Sequence, residues 1–220
     1  MKKKLILFLI IIASSFNLFA ELNSMVELGW LADTDGSRLN FYLVGKDDNP
    51  KYLRLPSCQG DNTADCYVPL SKMKELRNFF SEVLKVVEPL DQYGIDSVPK
   101  QEVRELDVKG PEVLIFWNGD KLYNSDETYE GWNNLKAEWE FYRNIGNLSG
   151  SYIVFKTKVT MPNDRDEFRD FELRIQPENL KRLVKEMLNK GNIDRNVNGY
   201  RLNKFKNERL IQSVTNRNKI

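Results

Sequence analysis

Ser71 and Lys74 are the pair of side chains in this sequence whose spacing best suits covalent chemistry. Residues three apart lie on the same face of a helix, so a lysine amine at 74 would be near a serine hydroxyl at 71 and could accept its proton. The competing interpretation is structural. Ser71 is also a good helix N-cap, and Lys74 would then be a solvated surface residue.

The segment Ser71-Lys72-Met73-Lys74 resembles the Ser-x-x-Lys nucleophile motif of penicillin-binding proteins and serine β-lactamases. This resemblance implies an acylating serine in an enzyme of the cell envelope. Two companion motifs of those families are incomplete. Ser125-Asp126-Glu127 lacks the Asn of Ser-Asp-Asn, and Lys156-Thr157-Lys158 lacks the Gly of Lys-Thr-Gly. We therefore favour the helix cap.

The remaining candidates for metal or covalent sites are few. Histidine is absent, which excludes Ser-His-Asp and Cys-His nucleophile systems and most catalytic zinc sites. Cys58 and Cys66 are the two cysteines, and the Gly-, Asp- and Asn-containing segment between them predicts a small disulfide loop. Two thiolates without histidine are a poor zinc site. We predict neither a metal nor a cofactor.

Aromatic residues are concentrated between residues 117 and 142. Core packing accounts for most of them, but Trp and Tyr beside Asn and Gly also suit a recognition surface, because the rings are amphipathic and have few rotamers. Such a surface would stack on sugars or hold a partner protein. The candidate aromatic residues are Trp117, Tyr123, Tyr129, Trp132, Trp139 and Tyr142.

Residues 191–220 form a basic, Asn-rich tail. Arg201, Lys204 and Lys206 are its candidate binding residues, because they could contact an anionic partner such as lipid head groups, an envelope polymer or an acidic protein. The alternative is a solvated chain end. Apolar residues within the tail indicate that part of it docks on the domain.

Two similar halves are predicted to position these residues. In the first, residues 25–90, alternating and apolar segments predict four strands, followed by a helix that Ser71 begins and Pro89 ends. In the second, residues 112–190, strands precede a helix that Pro177 opens and Gly191 ends.

Residues 128–144 fit either a helix or a strand. A strand from Lys136 to Arg143 would give four strands and a helix in each half. We therefore predict an α+β fold, with antiparallel sheet and two amphipathic helices, built as a duplicated ββββα unit in one domain over residues 21–190.

Residues 39–87 are similar to a PUR repeat, a module of four antiparallel strands followed by a helix. The similarity rests on the segment 41–49 (Phe-Tyr-Leu-Val-Gly-Lys-Asp-Asp-Asn), on Tyr52-Leu53-Arg54-Leu55, on Val68-Pro69 and on the helix segment 75–80. It implies the strand and helix order of this half. It also implies single-stranded nucleic-acid binding, although a signal peptide and a Cys loop depart from the family.

The N-terminus is typical of a bacterial secretory signal peptide. Three Lys precede the apolar run Leu5–Ile12, and Ala20 precedes the charged Glu21, which predicts cleavage near Ala20. No later segment is apolar enough to span a membrane. Residues 1–20 contain three Lys and no acid, so 30 basic and 32 acidic residues remain. This balance does not indicate nucleic acid as the dominant partner.

Together these observations predict a periplasmic or secreted binding protein without enzymatic activity, whose partner is a protein or an anionic envelope component. A cell-envelope hydrolase or transferase using Ser/Lys or carboxylate chemistry is the first alternative. Single-stranded nucleic-acid binding by a PUR-like fold is the second.

Overall fold

The computed structural model describes residues 24–32, 37–46, 49–57, 64–118, 128–160 and 168–201. Residues 1–20, with the predicted signal peptide, lie outside these ranges. The described residues form ten strands: β1 (Ser24–Ala32), β2 (Arg38–Lys46), β3 (Asn49–Leu55), β4 (Asp65–Pro69), β5 (Gln101–Leu106), β6 (Glu112–Asn118), β7 (Thr128–Asn134), β8 (Lys136–Ile145), β9 (Leu148–Thr160) and β10 (Phe168–Ile175).

The helices are α1 (Met73–Ser97), α2 (Pro177–Arg182) and α3 (residues 190–201). A 3-10 turn at Leu70–Lys72 leads into α1, and a π-helical turn at Leu183–Met187 follows α2. The α+β class predicted from the sequence is thus confirmed. No helix in the described ranges combines the length and apolar character needed to cross a membrane.

The strands form two antiparallel sheets. The first sheet has the order β1-β2-β3-β4-β6-β7, and the second has the order β10-β9-β8-β5. The first half follows the predicted ββββα order through β1–β4 and α1. In the second half, β6 and β7 extend the first sheet instead, because β6 pairs with β4. The first sheet therefore contains strands from both halves of the sequence.

One hydrophobic core lies between the inner faces of the two sheets and α1. Its centre contains Phe79 and Phe80 of α1 against Phe155 of β9, with ring centroids 5.6 and 4.6 Å from that of Phe155. Each such buried ring contributes roughly 1.5–3 kcal/mol relative to an exposed one. The strands keep their register because alternate residues face this core.

Helix α1 differs from its prediction at both ends. Pro69 is the N-cap of the 3-10 turn and Lys72 that of α1, and no side chain in the described part of the chain caps either one, so Ser71 is not the N-cap. Pro89 lies inside α1 and does not end it. The missing proline N–H removes one backbone bond, but α1 continues beyond it, and Gly94 there is again buried. Arg143 also donates to carbonyl oxygens at the far end of the helix.

The ambiguous residues 128–144 form strands, as the favoured interpretation predicted. In β8, Ala137, Trp139 and Phe141 all point into the core, and this two-residue period is that of a strand.

The segment after α2 contains a helix that the sequence analysis missed. Pro177 stands in the first turn of α2 as predicted. Gly191 does not end that helix, because it lies within α3. Asn189 begins α3 by accepting the N–H of Asn192 at 2.8 Å. Ile193, Val197 and Tyr200 pack against the core, so the first part of the tail docks as expected.

Cys66 carries a free thiol, so the disulfide predicted between Cys58 and Cys66 is not present in this structure. Cys66 faces the core from β4 and is fully buried. Burial, with a smaller contribution from Asp65, raises the pKa of the thiol. Cys58 lies outside the described residues.

Candidate binding groove

The two faces of the first sheet have different surroundings. Its inner face joins the main core, while its outer face carries a separate apolar cluster centred on Val44, Tyr67 and Leu114. Tyr42, Tyr52 and Phe116 pack around this cluster and are partly buried. The outer face is therefore a sheet surface rich in aromatic side chains.

On this outer face, the strand register places a row of five residues across five neighbouring strands. Tyr42 pairs with Arg54, and Arg54 pairs with Tyr67. Tyr67 pairs with Leu114, which pairs with Trp132 on β7. Direct cross-strand partners have Cβ atoms about 4.5–5.5 Å apart, so this row is continuous and ends at Trp132.

A groove of about 520 Å³ lies beside Trp132. We call it the Trp132 groove, and its walls are Lys51, Tyr52, Pro69, Ser71, Lys72, Glu112 and Trp132. The Trp132 side chain is half exposed, with 50% of its surface accessible. Four neighbouring strands and the 3-10 turn thus contribute to one concave surface.

The polar groups of the groove are only partly engaged. Lys72 Nζ lies 3.1 Å from Glu112 Oε2, which holds both side chains on one wall. Lys51 is exposed and makes no ion pair among the described residues. The walls carry two lysines and one glutamate, so they bear a net positive charge.

On the same outer face, Arg54, Asp65 and Tyr67 form a hydrogen-bonded polar cluster. Arg54 donates to Asp65 Oδ1 at 2.7 and 3.0 Å, and the Tyr67 hydroxyl donates to Asp65 Oδ2 at 3.2 Å. Burial and the nearby Asp65 raise the pKa of Tyr67. The charges of Arg54 and Asp65 neutralise each other, and their hydrogen bonds hold the Tyr67 side chain within the cross-strand row.

The Ser-x-x-Lys motif meets this groove at one residue. Ser71 lines it, but Lys74 does not, and no hydrogen bond joins the two side chains. Within the described ranges, no group of three or more His, Cys, Asp or Glu side chains could hold a metal ion. The groups that line the groove include the Trp132 ring and the polar side chains of Ser71, Lys72 and Glu112.

The structure separates the predicted aromatic residues. Trp132 is on the surface, whereas Trp139 is fully buried and Tyr142 is 7% exposed, so including these two in a binding surface was wrong. Trp139 faces the core from β8 and stacks on Phe141 at 5.9 Å. Tyr142 points to the other face of β8, where its hydroxyl donates to Glu140 at 3.0 Å.

Most of the other predicted binding residues lie wholly or partly outside the described part of the chain. The side chains of Trp117 and Tyr129 and the whole of Tyr123 lie outside the described part, as do Lys204 and Lys206. Arg201 is exposed at the last described position of α3. Of the three predicted tail residues, Arg201 is thus the one that the structure describes.

Sequence reasoning missed the contribution of the first half. Lys51 and Tyr52 are about 80 positions from Trp132 in the chain, and they share a groove because β3, β4, β6 and β7 are neighbours. The alternation around Tyr52 predicted a strand but not which strand would lie beside it. Comparison with protein-family models, curated proteins and solved structures found no match to this chain.

Proposed function

We propose that this chain is an exported binding protein without enzymatic activity, and that the Trp132 groove binds a sugar unit of an anionic envelope polymer. The observation that supports this most directly is the half-exposed Trp132 in a groove with Tyr52 and polar side chains. Export rests on the signal-like residues 1–20.

The chemistry of the groove suits a saccharide. The apolar face of a sugar ring packs against a flat, rigid aromatic ring, and Trp132 offers such a surface at the edge of the groove. Sugar hydroxyls need fixed donors and acceptors, which Ser71 and the Lys72–Glu112 pair provide. Lys51 adds a positive charge for the acidic groups of the polymer.

The test is calorimetric titration of the mature protein with polygalacturonate as an acidic polysaccharide and dextran as a neutral one. We expect saturable binding of polygalacturonate that Trp132→Ala weakens about tenfold or more, the loss typical of an interface anchor. Trp30→Ala is the matched control, because Trp30 is 42% exposed at the opposite edge of the same sheet. Equal losses in the two variants, or no binding by the wild type, would contradict the proposal.

The position of Ser71 in the groove keeps the hydrolase or transferase as a second candidate. An acylating serine requires a general base near its hydroxyl. A fluorophosphonate probe should label the wild type but not Ser71→Ala if this candidate is correct. An unlabelled wild-type protein would eliminate it.

The aromatic outer face also supports a test of the PUR resemblance, because exposed rings in a sheet can stack on bases. Binding of a single-stranded oligonucleotide should weaken steeply with salt if phosphates are contacted. No binding at low salt would remove this alternative.

A further inference from the structure

A second cavity, of about 290 Å³, lies between α1, β8, β9 and the beginning of α2. Its walls include Asp91, Ile95, Phe141, Ser149, Ser151 and Glu178. It shares no residue with the Trp132 groove. We call it the Asp91 cavity.

Asp91 is held in a defined orientation at this cavity. Trp139 Nε1 donates to Asp91 Oδ1 at 3.0 Å and to Ser151 Oγ at 2.7 Å. The Ser151 hydroxyl in turn donates a short bond to Asp91 Oδ1. Both bonds to the carboxylate thus reach the same oxygen. The other oxygen, Oδ2, has no partner among the described residues.

The charge of the walls is negative. Among the described residues, the ionisable ones that line the cavity are Asp91 and Glu178. Lys181 does not line it but interacts electrostatically with both carboxylates. Glu178 is paired with Lys181 at 2.6 Å, but both side chains are more than half exposed. Exposed pairs of this kind are worth little and exchange readily for another partner.

The apolar walls fit a short hydrocarbon chain. Ile95, Phe141 and Pro177 provide apolar surface beside the free oxygen of Asp91. A ring face also attracts a cation by its quadrupole. Arg143 lies 5.9 Å from the Phe141 ring but does not line the cavity, and carbonyl oxygens of Gly94, Ile95 and Val98 hold it in place.

We propose that the Asp91 cavity binds an alkylammonium group, either of a free diamine or of a lysine side chain. The ammonium donates a charge-assisted hydrogen bond to Asp91 Oδ2 and others to the hydroxyl of Ser149 or the amide oxygen of Gln176. The methylene chain packs on Ile95 and Phe141. Among the described residues, no group of three or more His, Cys, Asp or Glu side chains at this cavity could hold a metal ion. This site is independent of the proposed saccharide binding.

Trp139 provides a site-specific readout, because its indole N–H donates to Asp91. The sequence contains four tryptophans, so a ¹H–¹⁵N spectrum shows few indole signals, and Trp139→Phe assigns the relevant one. Cadaverine is the probe, and 1,5-pentanediol is its uncharged isostere. We expect a saturable shift of the Trp139 signal with cadaverine and none with the diol.

Asp91→Asn should weaken cadaverine binding about tenfold or more, since it replaces a charged hydrogen bond by a neutral one. The asparagine oxygen still accepts from Trp139 and Ser151. Asp96→Asn is the matched control, because Asp96 is on the same helix but bonded to Gln92 at the surface. Should Asp91→Asn fail to fold, Glu178→Gln reduces the negative charge without touching the three-residue network.

The outcomes divide clearly. Cadaverine binding that depends on Asp91 supports the proposal, and a comparison with acetyl-lysine-amide then shows whether a free diamine or a lysine side chain is preferred. A Trp139 signal that does not move up to about 50 mM cadaverine, a concentration at which even millimolar dissociation constants are detected, would overturn it. Equal weakening by Asp91→Asn and Asp96→Asn would overturn it as well.

Discussion

Gly94 of α1 lies directly against the ring of Phe141 on β8. A Cβ atom added to Gly94 would come within 2.8 Å of Phe141 Cγ and Cε2, closer than carbon atoms pack. The contact requires α1 to continue past Pro89, and it brings the end of the helix onto the second sheet.

Gly94→Ala should therefore destabilise the protein by about 1–3 kcal/mol, the cost of overpacking a filled core. Urea unfolding followed by circular dichroism measures it. Gly191→Ala is the control, because Gly191 is also helical and a Cβ there meets no atom closer than 3.5 Å. Alanine at 191 should be neutral or stabilise by up to about 1 kcal/mol. An equally stable Gly94→Ala variant would contradict the packing described.

Arg143 stabilises the same end of α1. Its guanidinium donates to the carbonyl oxygens of Val98 at 3.0 Å, Gly94 at 3.2 Å and Ile95 at 2.6 Å. We expect Arg143→Ala to lower the free energy of unfolding by about 1–3 kcal/mol, because carbonyls at a helix end lose charged donors. Arg195→Ala, at an exposed position of α3, should change it by less than about 0.5 kcal/mol.

Cys66 should be protected from alkylation in the folded protein. The thiol is fully buried, and its raised pKa keeps it protonated. Iodoacetamide followed by peptide mass mapping should therefore label Cys66 only after denaturation, and without any reductant. If labelling of Cys66 requires a reductant, the cysteine forms a disulfide after export and the free thiol is not its final state.

The stability should fall in alkaline solution partly because of Tyr142. Burial, together with the hydrogen bond to Glu140, raises the pKa of Tyr142 to about 12. The folded state thus holds this proton more tightly than the unfolded state, whose tyrosine pKa is about 10. The stability that Tyr142 contributes in this way is fully present below about pH 10 and is lost as the pH rises towards about 12.

Tyr142→Phe should accordingly lose less stability between about pH 10 and 12 than the wild type. Urea unfolding at a series of pH values measures the two slopes. Tyr67 also has a raised pKa, so part of the dependence should remain in the variant. Identical slopes would show that Tyr142 ionises equally in both states.

Export predicts a defined N-terminus. Expression of the full chain in a bacterial host should yield a mature protein that starts at or near Glu21, because cleavage follows the small residue Ala20. Mass spectrometry of the periplasmic and medium fractions measures this. A protein that retains residues 1–20 would contradict removal of the signal and indicate a retained N-terminal segment.

Individual strands were predictable where side chains alternate. The residues of β8 show this, since Ala137, Trp139 and Phe141 have the two-residue period that their burial requires. Strand β5 was missed because Gln101–Leu106 is an edge strand rich in charge and has little apolar pattern. The PUR resemblance of residues 39–87 stays a prediction.

The sequence by itself determined the α+β class, the strand character of most segments and the absence of histidine chemistry, because these depend on local pattern and composition. Tertiary structure alone decided which strands are neighbours and where α1 ends. Long-range pairing placed Tyr52 beside Trp132, since a sheet joins residues whose separation in the chain carries no local signal. Helix α1 continues past Pro89 because its core contacts, including that of Gly94 with Phe141, outweigh one lost backbone hydrogen bond. The continued part of the helix contributes Asp91 and Ile95 to the wall of the Asp91 cavity.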